Sequence, residues 1–215
     1  MQRLRIRFGR GQELKFISHL DLIRLWQRAL NRAGIPLAYS EGFNPHPRMS
    51  LAAPLALGVT SEAELMDIIL AKTVSPHFFT GAVSKQLPPG IVILQVCPVA
   101  PTLPSLQSQV RYAEYKVELE TEKEPKEVES SLASLLSLEN LPWEHRRDTE
   151  TRNYDLRALI DDLWLLGCNG GGCTIGMRLR CDSSGAGRPE QVAAALGFTC
   201  YPCLLHRTRL ILETS

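Results

Sequence analysis

The sequence predicts an α+β protein of two tandem units, and three observations carry that expectation. Residues 1–97 read as strand, helix, strand, strand, helix, strand, the βαββαβ order of a ferredoxin-like sandwich. Residues 98–110 hold Pro98, Pro101 and Pro104 and read as a linker. Residues 111–215 begin the same order again in a longer form, so the expected fold is two ferredoxin-like units, the second elaborated.

Each element has a local reason. Residues 3–8 alternate arginine with apolar side chains, as a strand with one buried face does. Ser18 can cap a helix, with Asp21 three residues on where a capping-box acid sits. Leu22, Leu25, Trp26, Ala29, Leu30 and Ala33 form its apolar stripe, and Gly34 and Pro36 end it. Residues 49–57 and 64–71 read as strands joined by a turn at Gly58. Residues 75–87 read as a helix opened by Ser75-Pro76, and 91–96 as a buried strand. In the second round, 112–121 alternates like a strand and 126–138 is an amphipathic helix. Residues 143–147 and 154–159 are short extended segments. Residues 163–166 and 173–180 form a hairpin about Gly170-Gly171-Gly172. Residues 189–196 are a helix and 203–212 a last strand.

With 215 residues, 44% hydrophobic and 22% charged, the chain has an ordinary globular composition and can bury a core without disulfides. It contains no apolar run of membrane-spanning length, and its first residues lack the apolar core of a signal peptide. A cytoplasmic protein with reduced thiols and no membrane association is expected. Cys200-Tyr201-Pro202-Cys203 has the spacing of half a zinc site without an evident second half, so no metal is expected and Cys200 and Cys203 are weak candidates only. The Rossmann, Walker and G-x-S-x-G fingerprints are absent, as is a Cys-x3-Cys-x2-Cys cluster motif, and no cofactor is expected.

Charge is unevenly spread. Residues 1–50 carry nine basic against three acidic side chains, a net of +6, and residues 111–150 carry six against eleven, a net of −5. The two stretches are expected to face different partners, the acidic one a protein.

Chemistry concentrates between Phe16 and Gly58. His19 lies in the first helical turn, where the helix dipole disfavours a protonated imidazole. Asn44-Pro45-His46-Pro47 brackets His46 with two residues of fixed φ, which stiffens the loop. His19 and His46 are therefore the candidate acid–base residues. The arginines at 3, 5, 7, 10, 24, 28, 32 and 48 suit bidentate phosphate contacts. Arg24, Arg28 and Arg32 fall at i, i+4 and i+8, one ridge of the helix. Tyr39 and Phe43 can stack on unpaired bases. The candidate RNA-binding set is Arg24, Arg28, Tyr39, Phe43, Asn44, His46 and Arg48. A glycine-rich loop over 182–190 runs into a helix start, a third place where backbone amides can meet an anion.

The segments F-I-S-H-L-D-L-I-R, R-A-L-N-R-A-G-I-P-L-A-Y-S-E-G-F-N-P-H-P-R and P-L-A-L-G-V-T-S-E-A-E-L resemble the radical SAM-linked protein family, a bacterial domain of unknown function. The later Y-D-L-R-A-L-I and G-R-P-E-Q-V-A-A-A-L-G are similar to its C-terminal half. The resemblance implies a separate radical SAM protein as partner. The family's association with RNA-processing and ribosomal genes implies an RNA substrate. The resulting expectation is an RNA-binding accessory protein that presents tRNA or rRNA to a radical SAM enzyme and is itself non-catalytic. Two alternatives stand beside it: an endoribonuclease-like or RNA-modifying enzyme using His19 and His46, and a protein-interaction scaffold without RNA contact.

Overall fold

The protein is described from a computed structural model covering residues 1–147 and 150–213, the side chains of 145–147 and 150 excepted. It is a mixed α+β protein, rich in sheet, with five helices among the described residues. The chain divides into two compact units, residues 1–110 and 111–215.

In the first unit, β1 (Gln2–Arg10) lies between β3 (Thr60–Leu70) and β4 (Ile91–Val99), antiparallel to both. The short β2 (Met49–Leu51) pairs antiparallel with the far side of β3, giving the order β2-β3-β1-β4. Two crossovers carry the helices α1 (His19–Arg32) and α2 (Pro76–Ser84). The reason is patterning. Leu4, Ile6 and Phe8 of β1 and Met66, Ile68 and Leu70 of β3 alternate onto one face. There they meet Leu22, Trp26 and Leu30 of α1 and Phe79 and Val83 of α2, all buried in one cluster. Phe8 meets Trp26 edge-on, ring centroids 4.9 Å apart. Residues 98 and 99 finish β4, and a short helix, α3 (Leu106–Gln109), follows the prolines.

In the second unit, β5 (Val110–Glu120) lies beside β9 (Gly172–Asp182), and β9 pairs on its other side with β8 (Ile160–Asn169). The last strand, β11 (Leu204–Leu212), neighbours β5. The order β8-β9-β5-β11 repeats that of the first unit. Between β5 and β8 run α4 (Pro125–Leu136) and a separate hairpin, β6 (Pro142–Arg147) with β7 (Glu150–Asp155). After β9 come the two-residue β10 (Gly185–Ala186) and α5 (Pro189–Ala195).

The strand expected over 49–57 ends at Leu51. Residues 52–59 run as irregular chain, pinned where Gly58, at φ 84°, donates to the Lys15 carbonyl (2.8 Å). The extended segment expected over 154–159 ends at Asp155, and a 3-10 turn over 157–159 follows it.

Candidate nucleic-acid interface

Helix α1 begins where Ser18 Oγ accepts the backbone N–H of Asp21 (3.1 Å) and donates to Asp21 Oδ2 (2.7 Å). Its buried stripe fixes its rotation. Arg24, Arg28 and Arg32 then share the face turned from the core, about 6 Å apart along the axis at 1.5 Å per residue. The segment that leaves α2 comes alongside because Gly11 N–H donates to Gly90 O (2.7 Å). Gly90 permits this at φ 91°, where a Cβ would lie 3.0 Å from Glu13 Oε2 and 3.2 Å from Leu14 Cγ.

The result is a groove of about 600 Å³. Ile17, Leu25, Leu87 and Pro88 supply apolar lining, and Arg24, Arg28, Arg32 and Lys85 supply positive charge around the single carboxylate of Asp21. Arg24 Nη1 donates to Asp21 Oδ1 (3.2 Å), an exposed pair, and Arg32 Nη2 donates to the Gln86 carbonyl (2.8 Å), fixing the groove's far end. The Ser18 hydroxyl and then Arg24 hold the Asp21 carboxyl below the usual carboxylate range, so it is charged at neutral pH. Lys85 was invisible to sequence reasoning, because it reaches the ridge only through the fold.

Three of the four arginines of β1 have other work. Arg3 and Arg5 both donate to the Asp67 carboxylate, at 2.6–3.0 Å, and Arg3 also donates to the carbonyls of Leu103 and Pro104. Arg10 is buried and donates to the carbonyls of Leu14, Lys15 and Ile17. These three serve the fold, which corrects their expected part in phosphate binding.

The loop of Tyr39, Phe43, Asn44, His46 and Arg48 is a second, separate feature, and none of the five lines the groove. Ser40 N–H donates to His46 O (2.8 Å), His46 N–H to Ser40 Oγ (3.0 Å) and Arg48 N–H to Ala38 O (2.8 Å). Its base is tied to β3 through Ala38 N–H to Ile69 O and Ile69 N–H to Arg48 O. Phe43 at the tip is fully exposed and Tyr39 partly so. Arg48 is exposed and reaches Met1 Sδ (3.8 Å).

His19 and His46 stand on different elements, His19 opening α1 and His46 in the loop tied to β3. Ile69 pairs with Arg3, so the loop's base sits at the start of β1, whereas Arg10 at its other end holds the segment that leads into His19.

The glycine-rich loop over 182–190 spends its amides internally. Ser184 N–H and Oγ donate to Asp182 Oδ1, and Gly187 N–H donates to Arg180 O. Cys200 and Cys203 are exposed, and the Cys203 thiol lies 3.5 Å from Glu120 Oε1. Among the described residues no three of His, Cys, Asp and Glu come together to hold a metal. The acidic stretch places Glu122, Glu124, Glu127 and Glu129 on the exposed surface of the second unit, while Asp148 lies outside the described residues. Among the described residues no helix is long and apolar enough to cross a membrane.

Fold and groove together define a sheet-rich α+β protein of two units, one of which carries a cationic cleft along a helix. The chain belongs to the family described as "uncharacterized protein conserved in bacteria (DUF2344)", whose model matches residues 3–189. No curated protein matches it in sequence. Among solved structures it is similar to a chain of the "Crystal Structure of a Cbf5-Nop10-Gar1 Complex", with TM-score 0.53 and 10% identity over 96% of this chain and 48% of that one. It is also similar to a chain of the "Structure of H/ACA RNP bound to a substrate RNA containing 2'-deoxyuridine", with TM-score 0.50 and 12% identity over 96% and 47%. The chain thus spans about half the length of these structural neighbours, and at such identity the likeness is one of fold.

Proposed function

We propose that this protein binds RNA through its first unit and acts as an accessory protein, presenting a tRNA or rRNA strand to a radical SAM enzyme in the cytoplasm. The observation that carries the reading is the groove along α1, where Arg24 and Arg28 converge with Arg32 and Lys85 above apolar lining. Cations spaced along a groove suit a sugar–phosphate backbone, and apolar lining suits sugars and base faces. The radical SAM partner rests on the sequence resemblance alone. The exposed glutamates of the second unit are the surface assigned to that protein.

Two further points belong to the same reading. Both units place their strands in the order second, third, first, fourth, which supports two tandem ferredoxin-like units, residues 1–97 and 111–215 joined by 98–110, the second enlarged by the β6–β7 hairpin. One structural neighbour is an H/ACA RNP bound to a substrate RNA, which agrees with an RNA ligand but transfers no residue to this chain. The exposed loop of Tyr39, Phe43, Asn44, His46 and Arg48 is assigned to bases or sugars beyond the groove.

Electrophoretic titration of the protein with total bacterial RNA at rising salt tests the reading. Binding that weakens steeply with salt supports it. Weak binding indifferent to salt overturns it.

A further inference from the structure

A carboxylate in the lining of a phosphate-binding groove requires an explanation, because it repels the ligand the arginines attract. Asp21 is such a group: it lines the groove with Arg24, Arg28, Arg32 and Lys85. Its role at the helix start does not account for all of it. An ionised carboxylate has about four lone-pair sites. Here Oδ2 accepts the Ser18 hydroxyl and Oδ1 accepts Arg24 Nη1, both contacts on the helix's own surface. The side chain is 57% exposed, so acceptor capacity remains toward the groove. Ser18 and Arg24 also hold it in one orientation, as a recognition group must be held.

A backbone lying on the cations offers few donors to such an acceptor. Phosphates have none at neutral pH, and a deoxyribose inside a strand has none. A ribose carries one on every nucleotide, the 2′-hydroxyl, which is the group that distinguishes RNA from DNA. From these contacts we infer that Asp21 is a specificity residue of the RNA-binding groove: it accepts a hydrogen bond from a ribose 2′-hydroxyl of a single strand whose following phosphates run along the helix to Arg28 and the Arg32–Lys85 end. The cations draw in either nucleic acid, and the carboxylate penalises the one that cannot donate to it. This inference rests on the proposed RNA-binding reading and adds the group that selects the sugar.

The test compares two short single-stranded oligonucleotides of one mixed sequence, one RNA and one DNA, binding the whole protein at fixed low salt. A hydrogen bond to a charged acceptor predicts an RNA preference of about tenfold or more. In Asp21→Ala that preference collapses toward unity because DNA binding holds or tightens while RNA binding weakens. Asp21→Asn keeps an acceptor without the charge and retains an intermediate preference. A purely structural role for Asp21 would instead weaken both oligonucleotides together, and that result overturns the inference. So does a preference that survives in Asp21→Ala. Equal binding of RNA and DNA by the unmodified protein sinks the inference while leaving a phosphate-binding groove. Binding of neither overturns the RNA reading itself.

Discussion

Asp67 accepts hydrogen bonds from two guanidiniums at once, and its side chain is only 4% exposed. Arg3 and Arg5 reach it from alternate positions on β1, with side chains 9% and 14% exposed. Three charges removed this far from water are stable only together, since each desolvated ion depends on its partner. Asp67→Ala leaves two guanidiniums facing each other with their acceptor gone, and is expected to cost about 3–5 kcal/mol. A urea unfolding midpoint measures it, and a loss under about 1 kcal/mol, the size of an exposed ion pair, would contradict the account. The same residues mark a limit of sequence reading. Arginine alternating with apolar residues on β1 looks like a solvent-facing stripe. Only the pairing of Arg5 with Asp67, sixty-two positions away, shows that Arg3 and Arg5 are turned into the protein while Arg7 stays exposed. The arginines of α1 were legible because their partners are local: the buried stripe of the same helix dictates where they point.

At the scale of elements, the hairpin of β8 and β9 shows how close packing fixes a glycine. Trp164 and Gly176 are register partners, and the indole lies over the space a side chain at 176 would fill. A Cβ on Gly176 would sit 2.0 Å from Trp164 Cε2 and 2.2 Å from Nε1. Gly167, on the same hairpin, has nothing within 4 Å of its absent Cβ and no positive φ. Gly176→Ala is therefore expected to destabilise by roughly 1–3 kcal/mol as the indole is displaced, and Gly167→Ala to change stability by well under 1 kcal/mol. Equal urea midpoints for the two variants would refute the assignment. Elements with a strong local signal were readable in advance: α1 begins after its Ser18 cap, and the two-residue turn at Gly170-Gly171 takes φ of 33° and 101° as a tight hairpin requires. The apolar run from Leu51 to Leu57 was misleading. Ala52, Ala53 and Leu55 are buried without extending β2, and burial alone does not separate a strand from packed irregular chain.

On the scale of the whole molecule the groove was only half legible. Its α1 wall is written in three arginines at helical spacing, whereas Lys85 and Leu87 arrive from the end of α2 by a tertiary contact no local pattern announces. That mixed origin gives a quantitative test of the proposed function. The side chains of Arg28 and Lys85 donate no hydrogen bond to other described residues, so removing them leaves the fold's internal bonds intact. If all four groove cations meet phosphates, the logarithm of single-strand RNA affinity falls against the logarithm of salt with a slope of about −2.8, at −0.7 for each phosphate neutralised. Arg28→Ala combined with Lys85→Ala then flattens the slope to about −1.4, while the unfolding midpoint stays near that of the unmodified protein. Lys126→Ala, on the exposed surface of α4 in the other unit, serves as the control and leaves the slope unchanged. A double variant that binds with the original slope places the RNA elsewhere on the molecule, with the loop of Phe43 and Arg48 the next surface to alter. A control that flattens the slope as much as the double variant reduces the interaction to nonspecific attraction by any positive charge.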